Sequence, residues 1–292
     1  MASPVVVDPL ARRLARGDVG RDDTWGLNLN LASPPPEELR APYAELAARL
    51  AAEGVTSERA GAYVYPFHTL HITCASPAPF THCALRREER APFMAGWAAA
   101  LAAEAAADPA FPRAPFPLVY DRVTLEPAAA IFRVEDPTGA VARVRALVAR
   151  CMRHEAVAGL PDDAAGRSAC RIPGIVHTTF LRFGAPPSVP EAALRAAFDA
   201  AAATWRPVTV MCDALRLVEE DAIYMHLDLT GRDRDRVLLE LPFRAAPPGA
   251  AAACGVGAGA VAAAAAHADS AGSAAGGGGS PHASGVSDVG HR

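Results

Sequence analysis

Two stretches of the sequence each place a histidine two residues before a threonine. The first, "PFHTLHITCASP", contains His71 and Thr73, and the second, "GIVHTTFLRF", contains His177 and Thr179. Apolar and β-branched residues surround both motifs, which is typical of β-strands. Because side chains two positions apart on a strand point to the same face, each strand is expected to present an imidazole and a hydroxyl together.

Two imidazoles and two hydroxyls suit the cleavage of a phosphodiester bond. One group must activate the nucleophile and another must protonate the leaving oxygen, and histidine, with a pKa of about 6.5, can do either near neutral pH. Threonine hydroxyls can donate hydrogen bonds to the non-bridging phosphate oxygens. We therefore predict that His71 and His177 are catalytic, that Thr73 and Thr179 bind substrate, and that no metal or other cofactor takes part.

Each of these residues also has a simpler structural interpretation. A lone histidine in a strand is usually a hydrogen-bonded structural residue, and threonine is common in strands, so only the matched pair of motifs favours catalysis. A zinc site built from His68, His71, Cys74, His82 and Cys83 is a weaker alternative. The spacing of these residues matches no standard zinc finger, and a strand would scatter them over two faces. His68 has the opposite strand parity to His71, so we expect it at the rim of the site.

The paired motifs resemble those of the 2H phosphoesterase superfamily, which includes bacterial 2′-5′ RNA ligase-like proteins and plant-type cyclic phosphodiesterases. "HTTFLRF" is similar to the second family motif and brings Arg182 into the match, and "HITCASP" is similar to the first, although Cys74 stands where a larger aliphatic residue is usual. The resemblance implies an α+β fold in which two pseudo-symmetric βαβ-type lobes with antiparallel-rich sheets flank a central cleft. It also implies metal-independent hydrolysis of 2′,3′-cyclic phosphate or 2′-5′ phosphodiester bonds.

Three further residues are predicted to bind substrate. The resemblance implies this role for Arg182, although strand parity alone places Arg182 on the face opposite to His177 and an ion pair would explain it equally well. Asn28 and Tyr224 lie in predicted strands that carry polar residues beside the motif strands, so we expect both to line the cleft. Solvent-facing strand positions are the alternative for these two.

Strand and helix patterns alternate along the sequence, and the second half repeats the order of the first. The predicted strands are "TWGLNLNLAS", "GAYVYPFHTLHITCAS", "PLVYDRVTLEP", "AAIFRVED", "GIVHTTFLRF", "VTVMCDALRLVEED" and "AIYMHLDLT". The predicted helices are "PPEELRAPYAELAARLAAEG", "LRREERAPFMAGWAAALAAEAAAD" with an interruption near Pro92, "GAVARVRALVARCMRHEAVAG" and "VPEAALRAAFDAAAATW". Two related lobes are expected to bring the two motif strands close to each other.

Composition divides the chain into three parts. Residues 1–23 are expected to be a flexible N-terminus, and residues 24–244 a single bilobal domain. Residues 245–292 are rich in alanine, glycine and serine and have no large apolar side chain beyond valine, so they cannot offset the entropy of ordering. We predict that this tail is disordered.

Charge and cysteine content limit the partners that the chain can bind. The formal net charge of −4 provides no basic field for a long nucleic acid, so we expect short RNA ends or small cyclic or 2′-5′ nucleotides. Six cysteines without a Cys-x-x-Cys pair, and no apolar signal segment, indicate a reducing compartment. We expect a cytoplasmic monomer that does not bind membranes, with organellar targeting left open.

Two other functions remain open from the sequence. One is a non-catalytic nucleotide- or RNA-binding module with the same fold, which the presence of both histidines and both threonines disfavours. The other is an interaction protein that works through its alanine-rich tail, in which no recognisable motif occurs.

Overall fold

The computed structural model describes most of the chain outside the predicted tail. The residues described are 5–21, 24–57, 59–81, 85–158 and 170–243. The predicted disordered tail at 245–292 therefore lies outside the described residues.

Six α-helices and nine β-strands occur in this part of the chain. The helices are α1 (Pro9–Ala15), α2 (Arg40–Ala52), α3 (Arg87–Ala107), α4 (Ala140–Cys151), α5 (Glu155–Ala158) and α6 (Glu191–Ala202). The strands are β1 (Gly26–Leu31), β2 (Ala62–Val64), β3 (Ile72–Ala78), β4 (Phe116–Leu125), β5 (Ala130–Glu135), β6 (His177–Phe183), β7 (Val208–Cys212), β8 (Ala214–Glu220) and β9 (Val237–Pro242).

The strands form two antiparallel sheets. The four-stranded sheet has the order β3-β1-β8-β9, and the five-stranded sheet has the order β2-β6-β5-β4-β7. The motif strand β3 lies at the edge of the first sheet, whereas the motif strand β6 lies inside the second, and the two strands contact each other. The predicted α+β class with antiparallel sheets is confirmed, and the two motifs come from different sheets that meet.

Each sheet has one apolar face that packs against helices. In β1, Leu27, Leu29 and Leu31 are fully buried and alternate with Asn28 and Asn30, as the period-two pattern predicts. Helices α3 and α4 pack on the four-stranded sheet, and α6 packs on the five-stranded sheet. Asn28 and Asn30 are also buried, with exposures of 5% and 0%. Among the described helices, none has the length and hydrophobicity that crossing a membrane requires.

Two predicted strands are each divided between the two sheets. In "GAYVYPFHTLHITCAS", β2 ends at Val64, and a 3₁₀ turn over Phe67–Thr69, preceded by Pro66, leads to β3. "VTVMCDALRLVEED" breaks at Asp213 into β7 and β8. Hydrophobic alternation continues across both breaks, so the pattern could not reveal that the chain changes sheets there.

Two other local predictions are wrong. "AIYMHLDLT" is not a strand, because Tyr224 and Met225 have positive φ angles of 52° and 56° and form a 3₁₀ turn. Strand β9, which pairs with β8, was not predicted from the sequence. The interruption expected near Pro92 is also absent, and α3 runs through it. Pro92 lies in the second turn of a 21-residue helix, so most of the backbone hydrogen bonds of α3 are unaffected.

The structure differs from the expected loose N-terminus over residues 5–21. Asp8 accepts a hydrogen bond from the Leu10 amide at the start of α1, and its own amide donates to the Phe183 carbonyl at 2.7 Å. Arg12 Nε donates to the Gly184 carbonyl at 2.8 Å. This N-terminal segment is therefore fastened to the end of the motif strand β6.

Candidate active site

A β-bulge follows each motif threonine directly. In β3, Thr73 pairs with Asn30 and Ala75 pairs with Leu29, so Cys74 is an extra residue in the strand. In β6, Thr179 pairs with Ile131 and Leu181 pairs with Ala130, so Phe180 is the extra residue. An inserted residue shifts the alternation of side chains by one position. The two lobes thus share the same irregularity at the same place in the motif.

The bulges decide which residues share the histidine face. The residue five positions after each motif histidine returns to that face, and these residues are Ser76 in β3 and Arg182 in β6. The burial pattern agrees, because His177, Thr179 and Arg182 are partly exposed while the intervening residues are buried. The placement of Arg182 by strand parity is therefore wrong, because parity assumes a strand without a bulge.

His71 is held in one tautomer by a backbone carbonyl. Its Nδ1 lies 2.8 Å from the Thr69 carbonyl, which can only accept, so Nδ1 carries the proton and Nε2 is left for substrate. Burial lowers the pKa of His71, the bond to Thr69 opposes this, and the charge of His177 lowers it further. His71 directly precedes β3 and His177 begins β6, and these two strands contact each other.

His177 lies in a more positive environment than His71. Burial lowers the pKa of His177, the nearby Ile175 carbonyl opposes this, and Arg133, Arg145 and Arg182 lower it further. Nδ1 of His177 is buried and finds no partner of good hydrogen-bond geometry within the described residues. Both imidazoles are consequently biased towards the neutral form in the unliganded protein.

Arg182 is anchored by groups from three parts of the chain. Its Nε donates to the Tyr65 hydroxyl at 3.0 Å, and its Nη1 lies 3.4 Å from Asp8 Oδ2. The guanidinium carbon is 4.2 Å from the centre of the Tyr224 ring, and the Tyr224 hydroxyl donates to the same Asp8 oxygen. No partner for Arg182 Nη2 occurs among the described residues, so this nitrogen can bind a ligand.

Asn28 and Tyr224 are linked through a buried carboxyl group. Glu220 is only 2% exposed, accepts a hydrogen bond from Asn28 Nδ2 with one oxygen, and accepts one from the Met225 amide with the other at 3.0 Å. Burial raises the pKa of Glu220 to about 8. This carboxyl thereby supports the backbone of the 3₁₀ turn that presents Tyr224 to Arg182.

The structure brings most of the predicted site residues together. His71 and Thr73 lie at the start of β3 in one sheet, and His177, Thr179 and Arg182 share one face of β6 in the other, where the two strands contact each other.

The two other predicted substrate-binding residues are placed differently. Tyr224 joins the site through its contact with Arg182. Asn28 is 5% exposed and lies beneath the surface against Glu220, so the cleft reaches it less directly than expected. His68 is exposed in the turn before β3, in agreement with a position at the rim.

Sequence reasoning missed two residues beside the motifs. Arg133 in β5 pairs with His177, so its side chain stands next to the imidazole, but strand register cannot be read from one sequence. Asp8 was passed over because the N-terminus looked loose. An aspartate followed by proline is nevertheless a typical helix start, and that signal marks α1.

The described residues contain no group of three histidine, cysteine or acidic side chains placed to hold a metal ion. His82 and Cys83, which the zinc alternative requires, lie outside the described residues. Cys74 is fully buried on the face opposite to Thr73, and burial raises the pKa of its thiol to about 12. Cys74 is therefore a core residue in this structure.

Neither a family model nor a curated protein matches the chain. Among solved structures it is similar to TT0787 of Thermus thermophilus, at 18% identity and a TM-score of 0.39 over 76% of this chain and 100% of that one. It is also similar to Escherichia coli LigT complexed with NADP+, at 14% identity and a TM-score of 0.37 over 67% and 88% of the two chains. A phosphoesterase matches at 15% identity and a TM-score of 0.35 over 67% and 88%. Likeness at this level assigns no function, which has to come from the residues of the site.

Proposed function

We propose that the chain is a metal-independent phosphodiesterase that hydrolyses 2′,3′-cyclic phosphate or 2′-5′ phosphodiester bonds in nucleotides or RNA ends. The observation that carries this proposal is the meeting of two His-x-Thr strands from different sheets. The equal bulges after Thr73 and Thr179 support this, because they give the two motifs the same backbone geometry. The motif resemblance to 2H phosphoesterases supports the 2′-linked substrate class.

The surroundings of the two histidines favour different roles. The positive charges of Arg133, Arg145 and Arg182 disfavour a proton on His177, which suits a general base. No guanidinium is among the groups that shift the pKa of His71, and the Thr69 carbonyl stabilises its protonated form, which suits a general acid. The negative charge of a bound phosphodiester raises the pKa of both rings and loads His71 with its proton.

Hydrolysis follows from these roles without a further reactant. His177 takes a proton from a water molecule as the water oxygen bonds to phosphorus, and His71 gives its Nε2 proton to the ribose oxygen as the old P–O bond breaks. Thr73 and Thr179 donate hydrogen bonds to the non-bridging oxygens, and Arg182 Nη2 neutralises part of the developing charge. The products are a phosphomonoester and a ribose hydroxyl.

A substrate panel in the presence of EDTA tests this proposal. We expect turnover of 2′,3′-cyclic nucleotides or 2′-5′ dinucleotides, with losses of about 10²–10⁴-fold in His71→Ala and in His177→Ala, each still folded by circular dichroism. Activity that EDTA abolishes and zinc or magnesium restores would contradict the proposal. Binding of AMP without turnover of any member of the panel would instead favour the non-catalytic module. A monomeric state and a cytoplasmic location remain predictions.

A further inference from the structure

A row of basic side chains crosses the five-stranded sheet from the catalytic centre. Arg122 in β4 pairs with Arg133 in β5, and Arg133 pairs with His177 in β6. Side chains of directly opposed residues project from the same face of a sheet, and neighbouring strands are about 4.8 Å apart. The two arginines, which we call the arginine row, therefore stand one and two strands away from His177.

The arginine row lies on the cleft side of the sheet. Phe132, which precedes Arg133, points to the opposite face, where its ring centre is 4.6 Å from that of Phe180 in the core. Electrostatics gives the same placement, because burial and then the charges of nearby guanidiniums, Arg133 foremost, lower the pKa of His177. Arg133 therefore shares the face that holds the reacting phosphate in the proposed function.

Both arginines keep nitrogen atoms free for a ligand. Arg133 uses Nη2 to bind Glu126 at 2.5 Å, and Arg122 uses Nη1 to reach Asp121 at 3.4 Å. The described residues provide no partner for the remaining nitrogens of either guanidinium. The side chains are 31% and 68% exposed, and ion pairs at such sites contribute little, so the two carboxylates do not prevent phosphate binding.

We propose that Arg133 and Arg122 bind a second phosphate group, on the 5′ side of the nucleotide whose 2′-phosphate reacts at the histidines. This inference rests on the proposed function for the position of the reacting phosphate. The second phosphate site distinguishes between two substrate classes, cyclic mononucleotides and oligonucleotide ends. A cyclic mononucleotide has one phosphate, which the two motifs already engage, whereas an oligonucleotide end supplies the next phosphate that the arginine row fits. The substrate is therefore an RNA or 2′-5′ oligonucleotide end.

Calorimetry with two probes tests the arginine row independently of turnover. The probes are adenosine 2′-monophosphate and adenosine 2′,5′-bisphosphate, in EDTA at low salt. We expect the full chain to bind the bisphosphate more tightly, and we expect Arg133→Ala to lose about 10-fold of that preference and Arg122→Ala less, because it is more exposed. Arg206→Ala serves as the matched control, since within the described residues Arg206 bonds only to backbone carbonyls before β7.

A second variant guards against a folding defect from the unpaired Glu126. Arg133→Lys keeps the charge beside Glu126 but removes the forked donor, so it is expected to stay folded and to lose part of the preference. The proposal is overturned if the wild type binds both probes equally or binds neither. It is also overturned if Arg133→Ala and Arg122→Ala retain the preference.

The same measurements separate this inference from the proposed function. Turnover of cyclic mononucleotides together with equal binding of the two probes refutes the arginine row and leaves hydrolysis standing. A preference for the bisphosphate that the two alanine variants lose, without turnover of any phosphodiester, refutes hydrolysis and leaves the arginine row standing.

Discussion

The two motif strands, β3 and β6, share a backbone plan but carry different charges. A histidine lies directly before β3 and at the first position of β6, and in each strand a threonine follows two residues later with a bulge directly after it. At the next position on the cleft face, β3 has the neutral Ser76 and β6 has Arg182. The strand beside β3 contributes Asn30, whereas the strand beside β6 contributes Arg133. We name β3 with β1 the neutral wall and β6 with β5 the positive wall, after the residues at these two positions. Arg171, which pairs with Ser76, is a cation at the edge of the neutral wall.

This difference explains how two similar histidines can take different roles. A symmetric pair in equal surroundings would have equal proton affinities, and neither ring would be favoured as acid or base. The charges of Arg133, Arg145 and Arg182 lower the pKa of His177, whereas no guanidinium is among the groups that shift the pKa of His71. In the proposed function, the positive wall also supplies charge for binding the phosphodiester.

Alanine substitution at the two equivalent positions gives the largest effect expected from this comparison of the two strands. Arg182→Ala is expected to lower kcat/KM for a cyclic phosphodiester by about 100-fold, because it removes a preorganised charged donor. Ser76→Ala removes the equivalent residue of the neutral wall and is expected to change kcat/KM by less than about 3-fold. Steady-state kinetics on the two variants checks this contrast, and equal losses would contradict the division between the walls.

The pH dependence of activity sharpens the comparison next. Arg133→Ala removes one of the charges that lower the pKa of His177, so this pKa rises and more of the base is protonated at a given pH. We therefore expect the acidic limb of the kcat/KM profile to move to higher pH. Asn30→Ala, on the neutral wall, is expected to leave that limb in place. A shift in the opposite direction would assign the acidic limb to a group other than His177.

Asp8 is expected to have a smaller effect through Arg182. Asp8→Asn retains a side chain that can begin α1 but loses the charge that binds Arg182, so KM is expected to rise by about 3- to 10-fold. Asp18→Asn is the matched control, because Asp18 forms an exposed ion pair with Arg13. The loss should disappear in an Arg182→Ala background, where Asp8 has no guanidinium to position. Additive effects of the two changes would show that Asp8 acts by another route.

Glu220 is expected to affect stability more than activity. Its pKa of about 8 in the folded protein lies above the unfolded value, so the contribution of Glu220 to stability is fully present below about pH 4.3 and is lost as the pH rises to about 8. Glu220→Gln cannot ionise, and the variant should gain in free energy of unfolding relative to wild type between pH 5 and pH 9. Denaturant unfolding at several pH values measures this. A constant difference would mean that Glu220 is ionised throughout and that its wall is not neutral.

The sequence revealed the chemistry of the site more readily than its geometry. The motif spacing led to His71 and His177, and the alternation of Leu27, Leu29 and Leu31 led to β1. The face of Arg182 could not be predicted, because a bulge depends on pairing with a neighbouring strand and leaves no mark in local periodicity.

Long-range pairing also hid other parts of the fold. The sequence analysis missed β9 and wrongly predicted a strand at "AIYMHLDLT", because the latter segment has the β-branched and aromatic residues that favour strands. Burial of Met225 and Leu227, and the hydrogen bond that the Met225 amide donates to Glu220, hold that segment in a turn instead. Tertiary contacts therefore override propensity in this part of the chain.

Because Phe180 is the extra residue of a bulge, the direction in which Arg182 points depends on the number of residues between it and His177 rather than on their side chains. Removing that one residue would let β6 pair with β5 in strict alternation, and the guanidinium that now reaches the cleft would turn towards the hydrophobic layer beneath. A single-codon deletion in this strand is thus expected to be far more harmful than most substitutions there, although every functional group would still be encoded.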